Sequence, residues 1–251
     1  MNQIDQMDQT DQIDALPRQA PLVVALLPAA GRGLRMGGSV PKQFLSLGGE
    51  PLIIQSLRIL QAASVVDQII LAVPPADVEY CEREIVSRQR FTKVTRVVAG
   101  GAERQDSVRY ALAQVPSSTG IVLIHDAVRP FVTLRMIDEV VAAARKEGAA
   151  IIALPMRDTV KQVRADGTIE RTVDRAPLWL AQTPQAFRRD WIETAHRKAH
   201  AEGMRATDDA SLVEWLGYLV TVVEGSGENI KVTRPEDLVI GEAILAARKG
   251  R

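Results

Sequence analysis

From Leu22 onward the chain alternates two patterns. Short runs rich in apolar residues, at 22–27, 68–73, 94–98, 121–124 and 149–154, read as strands covered on both faces. Between them apolar positions recur at the spacing of a buried helical stripe. Ile53, Ser56, Leu57 and Leu60 fall at i, i+3, i+4 and i+7. So do Val108, Ala111, Leu112 and Val115, and so do Ile137, Val140, Val141 and Ala144. This succession predicts an α/β fold, with a mostly parallel sheet, right-handed crossovers and helices on both faces. Ligands on such sheets sit at the carboxyl ends of the strands, so the loops there are where chemistry is expected.

Residues 155–178 break the rhythm. Asp166-Gly167 reads as a two-residue hairpin turn between polar, β-branched stretches at 159–163 and 168–173. Two polar strands alone are marginal in water, so this protruding β-hairpin arm is expected to rest on something, such as another subunit. Helices follow near 189–202 and 208–216, then a strand at 219–223. A last helix starts at Thr233, where Thr-Arg-Pro-Glu makes a capping box, with a buried stripe of Ile240, Ala243, Ile244 and Ala247. Residues 3–14 repeat Gln-x-Asp, a period of three that suits neither helix nor strand. Residues 1–20 therefore read as a disordered polar tail, and 21–251 as one domain.

Composition narrows the classes. The 251 residues are 46% hydrophobic and 25% charged, which excludes disordered, collagen-like and disulfide-scaffold chains. Lys plus Arg equals Asp plus Glu at 31 each, without the basic excess of a nucleic-acid binder. Cys81 is the only cysteine, so no internal disulfide forms and a reducing cytoplasm is expected. The longest apolar run is too short to cross a bilayer, and the first residues lack the basic start of a signal peptide.

Four strand ends carry the chemistry. Pro28-Ala29-Ala30-Gly31-Arg32-Gly33 follows the first strand, with Arg35 and Lys42 shortly after. Glycines let backbone amides approach phosphates, and cations within the loop suit charge that grows on phosphoryl oxygens during transfer. The spacing is neither the dinucleotide fingerprint nor a Walker A loop, and a solvated basic loop is the alternative. Gly100-Gly101 leads to Arg104, Asp106 and Ser107. It permits close approach to a planar ligand whose edge Ser107 could read, or is a plain turn before a helix. His125-Asp126-Ala127-Val128-Arg129-Pro130 offers a carboxylate able to hold Mg²⁺ and an arginine for an anion, or else a buried ion pair. Asn229-Ile230-Lys231-Val232-Thr233 precedes a helix, as an anion site or a surface lysine beside a cap.

Taken together, Pro-Ala-Ala-Gly-x-Gly-x-Arg-Met, Pro-Lys-Gln, Gly-Gly-x-x-Arg-x-x-Ser, His-Asp-Ala-x-Arg-Pro, Arg-Asp-Thr-x-Lys, Thr-Val-Asp-Arg, Thr-Pro-Gln, Thr-Asp-x-Ala-Ser and Asn-Ile-Lys-Val-Thr-x-Pro-Glu-Asp occur in order. The chain thereby resembles the 2-C-methyl-D-erythritol 4-phosphate cytidylyltransferases of the non-mevalonate isoprenoid pathway, over roughly residues 22–248. The resemblance implies a Rossmann-like nucleotidyltransferase fold, CTP and a polyol phosphate as substrates, Mg²⁺, and a homodimer joined through the arm. It implies that Arg35 and Lys42 stabilise the CTP phosphates, while Ala29, Ala30, Gly31, Gly101 and Ser107 hold the cytidine. Asp126 and Arg129 would lie where CTP, Mg²⁺ and acceptor meet. Lys231, Arg175 and Thr159 would position the acceptor, the last two from the partner subunit. Ala102 stands where some relatives have an acid, which leaves base recognition there to the backbone.

Two other functions fit these residues. One is a cytidylyltransferase for another polyol phosphate such as ribitol 5-phosphate; the other is a non-catalytic nucleotide-binding protein, whose expected mark is loss of a loop cation. His196 and His200 have a zinc-compatible spacing but no companion acid motif, and read as a solvated helix face. Trp179, Trp191 and Trp215 read as core or interface packing, and Cys81 as an inert thiol.

Overall fold

The computed structural model describes residues 21–31 and 40–250. After β1 (Leu22–Pro28), a small ladder of β2 (Ser46–Leu47) and β3 (Glu50–Pro51) leads into the first long helix. The main sheet has seven strands: β1, β4 (Gln68–Val73), β5 (Val94–Ala99), β6 (Thr119–Ile124), β7 (Ala149–Pro155), β10 (Trp179–Arg188) and β11 (Thr221–Glu224). The arm, described below, supplies β8 (Val160–Val163) and β9 (Ile169–Val173). Strand order in the main sheet is β11-β7-β10-β6-β1-β4-β5. All neighbours are parallel except β10, which runs antiparallel to both β6 and β7. The five strands expected from apolar runs are all present, within two residues at each end.

Alternation along β1 shows how the sheet is covered. Val23, Ala25 and Leu27 enter one core, while Val24 and Leu26 enter the other. The first core takes the stripes of α1 (Leu52–Ala62) and α4 (Leu134–Glu147). The second takes α3 (Arg104–Leu112), α5 (Arg189–Glu202) and α6 (Asp209–Trp215). Each fully buried Val, Leu or Ile on these stripes stabilises the fold by about 1.5–3 kcal/mol. Ser56, the polar member of the α1 stripe, is buried because its hydroxyl donates to Ala127 O at 2.9 Å. That bond ties α1 to the loop after β6. Cys81 is buried where α2 (Val78–Tyr80) runs into a π-helical turn at Cys81–Ser87. Burial, with Asp77 nearby, pushes its thiol up to about 12, which leaves it unreactive.

Several expectations are corrected. The sheet is interrupted by an antiparallel strand, β10, that apolar periodicity did not mark. Its centre is Gln182-Thr183-Pro184-Gln185, polar residues with a proline, yet all four are buried between β6 and β7. β5 is not covered on both faces; it is the sheet edge, and Thr95, Arg96 and Ala99 are exposed. The last helix, α7 (Pro235–Lys249), has Arg234 rather than Thr233 as its N-cap. Asp237, not Glu236, closes the cap, accepting from the backbone N–H of Thr233 and Arg234 and from the Thr233 hydroxyl at 2.7, 2.8 and 3.0 Å. Of the expected stripe on this helix, Ile244 alone faces inward. Ile240 is half exposed and Ala243 and Ala247 are exposed, while Leu238, Gly241, Ile244 and Leu245 face a small cluster of Leu47, Leu52, Val128, Phe131 and Val232. Gly241 seats the helix: a Cβ there would lie 2.9 Å from Leu47.

In the arm, β8 pairs with β9 as a separate two-stranded sheet. Its turn is wider than Asp166-Gly167 suggested. Gly167 N–H donates to Arg164 O at 3.0 Å and Gly167 sits at φ 86°, which makes 165–167 a three-residue loop with its left-handed position at the glycine. Every arm-strand residue is exposed except Val160 and Val173, which are half buried.

Candidate active site

A cleft opens at the carboxyl ends of β1, β5 and β6, where the chain leaves β1 for β4 on one side and returns as β6 on the other. Pro28, Ala29, Ala30 and Gly31 form one wall, with Lys42 and Gln43 beside them. Gly101 through Arg104 and Ser107 form a second, and Asp126, Val128 and Lys231 close the third. Lys42 begins a short 3₁₀ turn, Lys42–Phe44, and a Cβ on Gly31 would lie 3.5 Å from Lys42 Cε. Gly33 and Arg35 lie outside the described residues.

The paired glycines are set by close approach. A Cβ on Gly100 would fall 2.3 Å from Ala30 Cβ, and one on Gly101 would fall 2.3 Å from Asp106 Cβ. The wall from β5 is thus pressed against the wall from β1. Ser107 is buried, and its hydroxyl accepts from Gly101 N–H at 3.1 Å and donates to Glu103 O at 3.1 Å. It holds the turn that lines the cleft, in addition to facing it.

Asp126 is the hub. Its Oδ1 receives Arg104 Nε at 2.8 Å and its Oδ2 meets Lys231 Nζ at 2.6 Å. Burial opposes its charge, but Arg104 and Lys231 outweigh burial and hold the carboxyl well below the usual carboxylate range. Of the two sequence readings, the buried ion pair is what this geometry presents, with both oxygens engaged by cations. Among the described residues no cluster of three or more His, Cys, Asp or Glu is placed to hold a metal. With both Asp126 oxygens engaged by cations, this donor set fits a Mg²⁺ held by protein side chains alone poorly.

Arg104 continues the network. Its Nη1 pairs with Asp209 Oδ2 at 2.7 Å, and Asp209 Oδ1 accepts from His196 Nε2 at 3.0 Å. His196 and Asp209 are 2% and 1% exposed, which corrects the solvated-face reading for His196; His200 is exposed as expected. Below Asp126, its backbone N–H donates to Thr183 Oγ1 at 3.0 Å, and that hydroxyl lies 3.1 Å from His125 Nδ1. His125 Nε2 is 3.0 Å from Arg129 O, so the proton sits on Nε2 and Nδ1 accepts from Thr183. Burial, against a smaller pull from Asp126, takes His125 down to about 4.

Arg129 packs next to the Asp126 network, near enough to interact with the charges of Asp126 and Arg104. Its Nη1 donates to Asn229 O at 2.8 Å, and Val232 N–H donates to Val128 O at 2.8 Å. These two bonds dock the Lys231 loop on the Asp126 loop. Asn229 is fully buried, donating to Gln182 Oε1 at 3.1 Å and Thr183 O at 3.0 Å. Arg175 and Thr159 are exposed on the arm and are not among the described residues that line the cleft, and Arg175 donates to Arg157 O. Sequence reasoning missed Thr183, Gln43 and the Arg104–Asp209–His196 chain. Pro-Lys-Gln, Gly-Gly-x-x-Arg-x-x-Ser, Thr-Pro-Gln and Thr-Asp-x-Ala-Ser marked Gln43, Arg104, Thr183 and the surroundings of Asp209 without revealing the contacts. Trp179 and Trp215 are partly exposed, and Trp191 stacks on Tyr218 with ring centroids 4.0 Å apart.

A glycine-walled cleft with convergent cations at the switch point of this sheet defines a nucleotide-binding enzyme of the nucleotidyltransferase class. Residues 23–247 match the family described as 2-C-methyl-D-erythritol 4-phosphate cytidylyltransferase. A protein of that name from Syntrophus aciditrophicus (strain SB) is 49% identical over 231 residues, covering 92% of this chain and 99% of that one. The crystal structure of 4-diphosphocytidyl-2C-methyl-D-erythritol synthase from Anaerococcus prevotii DSM 20548 matches with TM-score 0.79 at 31% identity, covering 90% of this chain and 96% of that chain. That of the cytidylyltransferase from Thermus thermophilus matches with TM-score 0.74 at 35% identity, covering 88% and 98%. The chain belongs to the 2-C-methyl-D-erythritol 4-phosphate cytidylyltransferase family.

Proposed function

We propose that this cleft performs the family's reaction, transferring CMP from CTP to 2-C-methyl-D-erythritol 4-phosphate and releasing pyrophosphate. A phosphate oxygen of the acceptor forms a bond to the α-phosphorus of CTP as the bond from that phosphorus to the β-phosphate bridge breaks. The acceptor is a phosphate monoester, largely ionised at neutral pH, so it needs little help from a general base. The obstacle is bringing two anions together. The observation that carries the reading is the convergence of Lys42, Arg104 and Lys231 on one glycine-walled cleft at the strand ends.

Within this reading Lys42, with Arg35, stabilises charge on the triphosphate, and Lys231 aligns the acceptor phosphate. Asp126 keeps Lys231 and Arg104 in place. Pro28 to Gly31, with Gly101 and Ser107, bracket the cytidine, and the backbone at Ala102 reads its edge. Mg²⁺ is expected to enter on the triphosphate, whose oxygens suit a hard cation better than the engaged oxygens of Asp126 do. The exposed arm supports a homodimer in which Thr159 and Arg175 serve the partner's site. The buried, solitary Cys81 is compatible with a cytoplasmic setting. No helix among the described residues is long and apolar enough to cross a membrane.

The roles are tested by steady-state kinetics of Lys42→Ala and Lys231→Ala. Each should lower kcat/KM by about 10²–10³, the usual effect of removing a preorganised donor to developing charge. Near-normal kcat/KM in either folded variant would remove that lysine from the mechanism.

A further inference from the structure

One buried pair lies outside the mechanism just described. His196 on α5 and Asp209 on α6 are sealed from solvent behind the cleft, on the face of the sheet covered by α3. Asp209 is an unusual residue to bury fully, because an isolated carboxylate there would be strongly disfavoured. Burial does oppose its charge, but Arg104 and His196 outweigh it, and its carboxyl is held below the usual range. An ionised Asp209 cannot donate, so His196 Nε2–H is the donor in the 3.0 Å bond. Among the described residues, Arg104 is the link that joins this pair to the cleft. It is gripped from both sides: Nε by Asp126 at 2.8 Å and Nη1 by Asp209 at 2.7 Å. Its Nη2 is buried without a hydrogen-bond partner among the described residues.

We infer that His196 is a positioning residue: by orienting Asp209 it fixes the Arg104 guanidinium at the cleft wall, where Arg104 faces the nucleotide. The inference rests on reading the cleft as the CTP site. Without the His196 bond, Asp209 rotates off its axis toward Arg104. The guanidinium then has one anchor in place of two, and competes with Lys231 for Asp126. His196 touches no reacting atom, so its influence falls on binding more than on the chemical step.

The test compares His196→Leu, which removes the donor and keeps the bulk, with His196→Gln, whose amide N–H reaches the Nε2 position. Both are measured by kinetics and by calorimetric titration with CTP and Mg²⁺. His196→Leu should raise the KM and the Kd for CTP on the order of tenfold, with kcat changed much less, the usual scale for losing a hydrogen bond to a charged group. His196→Gln should return both to within about twofold of wild type. In an Arg104→Ala background, His196→Leu should add little, because the two residues act as one unit. Melting temperatures are recorded for all. If His196→Leu does not fold, His196→Asn, too short to reach Asp209, replaces it against His196→Gln. A lowered melting temperature with unchanged CTP affinity would overturn the inference, and so would losses that multiply in the double variant. A wild-type enzyme that binds CTP but transfers no CMP would instead refute the proposed reaction and leave the titration able to judge His196.

Discussion

Lys231 lies 34% exposed at its side chain and would sweep solvent freely were Asp126 not drawing its ammonium to 2.6 Å. The carboxylate therefore organises cations, and removing it should do more harm than removing one cation. Asp126→Asn leaves Arg104 and Lys231 facing a neutral amide, and should lower unfolding free energy by about 3–5 kcal/mol in urea, as breaking a buried pair does. A loss under about 1 kcal/mol would show that the network is not stabilising. His125 gives a pH signature. Its folded value, about 4, lies below its ordinary 6.5, so between those values the unfolded chain binds the proton and the folded chain does not. Its contribution is complete above about pH 6.5 and is lost as pH falls toward 4, on the order of 3 kcal/mol in all. Urea unfolding at about pH 7.5 and about pH 5 should show a smaller decline for His125→Gln than for wild type; equal declines would contradict this. Lys42, Ser107, Asp126 and Lys231 were legible in the sequence as candidates because they follow strand ends and fall in the motifs that carry the resemblance, and the structure brings them to one cleft. His196 was not, since its partner lies 13 residues on and its burial depends on how α5 meets α6.

The cleft walls owe their spacing to elements packed at glycine distance. Gly100 shows this most sharply, with Ala30 Cβ 2.3 Å from where its own Cβ would stand. Gly100→Ala should destabilise the protein by about 1–3 kcal/mol, the usual penalty for overpacking, and weaken CTP binding. Adding Ala30→Gly should recover much of the loss, because it removes the clashing methyl group. No recovery in thermal melts would mean the strain lies instead toward Ser107 or Val73. Periodicity exposed every strand whose residues are apolar on both sides, and the stripes of α1, α3 and α4. It failed for β10, where Thr183, Gln185 and Gln182 are buried by hydrogen bonds to His125, Asp208 and Asn229 rather than by apolar character. It slipped on α7 because the seat of that helix is Gly241, a residue that hydropathy does not count.

At the scale of the whole molecule the arm is the open element. Asp166-Gly167 announced it, and the exposure of β8 and β9 on their own chain agrees with a hairpin that serves a neighbour. Whether a neighbour covers it could not be read from one chain's pattern, since an interface between copies leaves the same polar, β-branched signature as a solvated hairpin. Mixing inactive Lys42→Ala and Arg175→Ala chains tests the arrangement. A hybrid dimer would hold one site with both residues intact. With free exchange about half the dimers are hybrids, so about a quarter of all sites should work. Hybrids shown by tagged co-purification yet wholly inactive would mean that the arm serves its own chain.

The central claim is that the cleft joins CMP from CTP to a branched polyol phosphate, and phosphorus NMR of the reaction mixture tests it most directly. Purified enzyme with CTP, Mg²⁺ and 2-C-methyl-D-erythritol 4-phosphate should produce pyrophosphate and a new cytidine diphosphate diester in equal amounts. Ribitol 5-phosphate under the same conditions should react far more slowly. Failure to consume 2-C-methyl-D-erythritol 4-phosphate, or faster turnover of ribitol 5-phosphate, would contradict it.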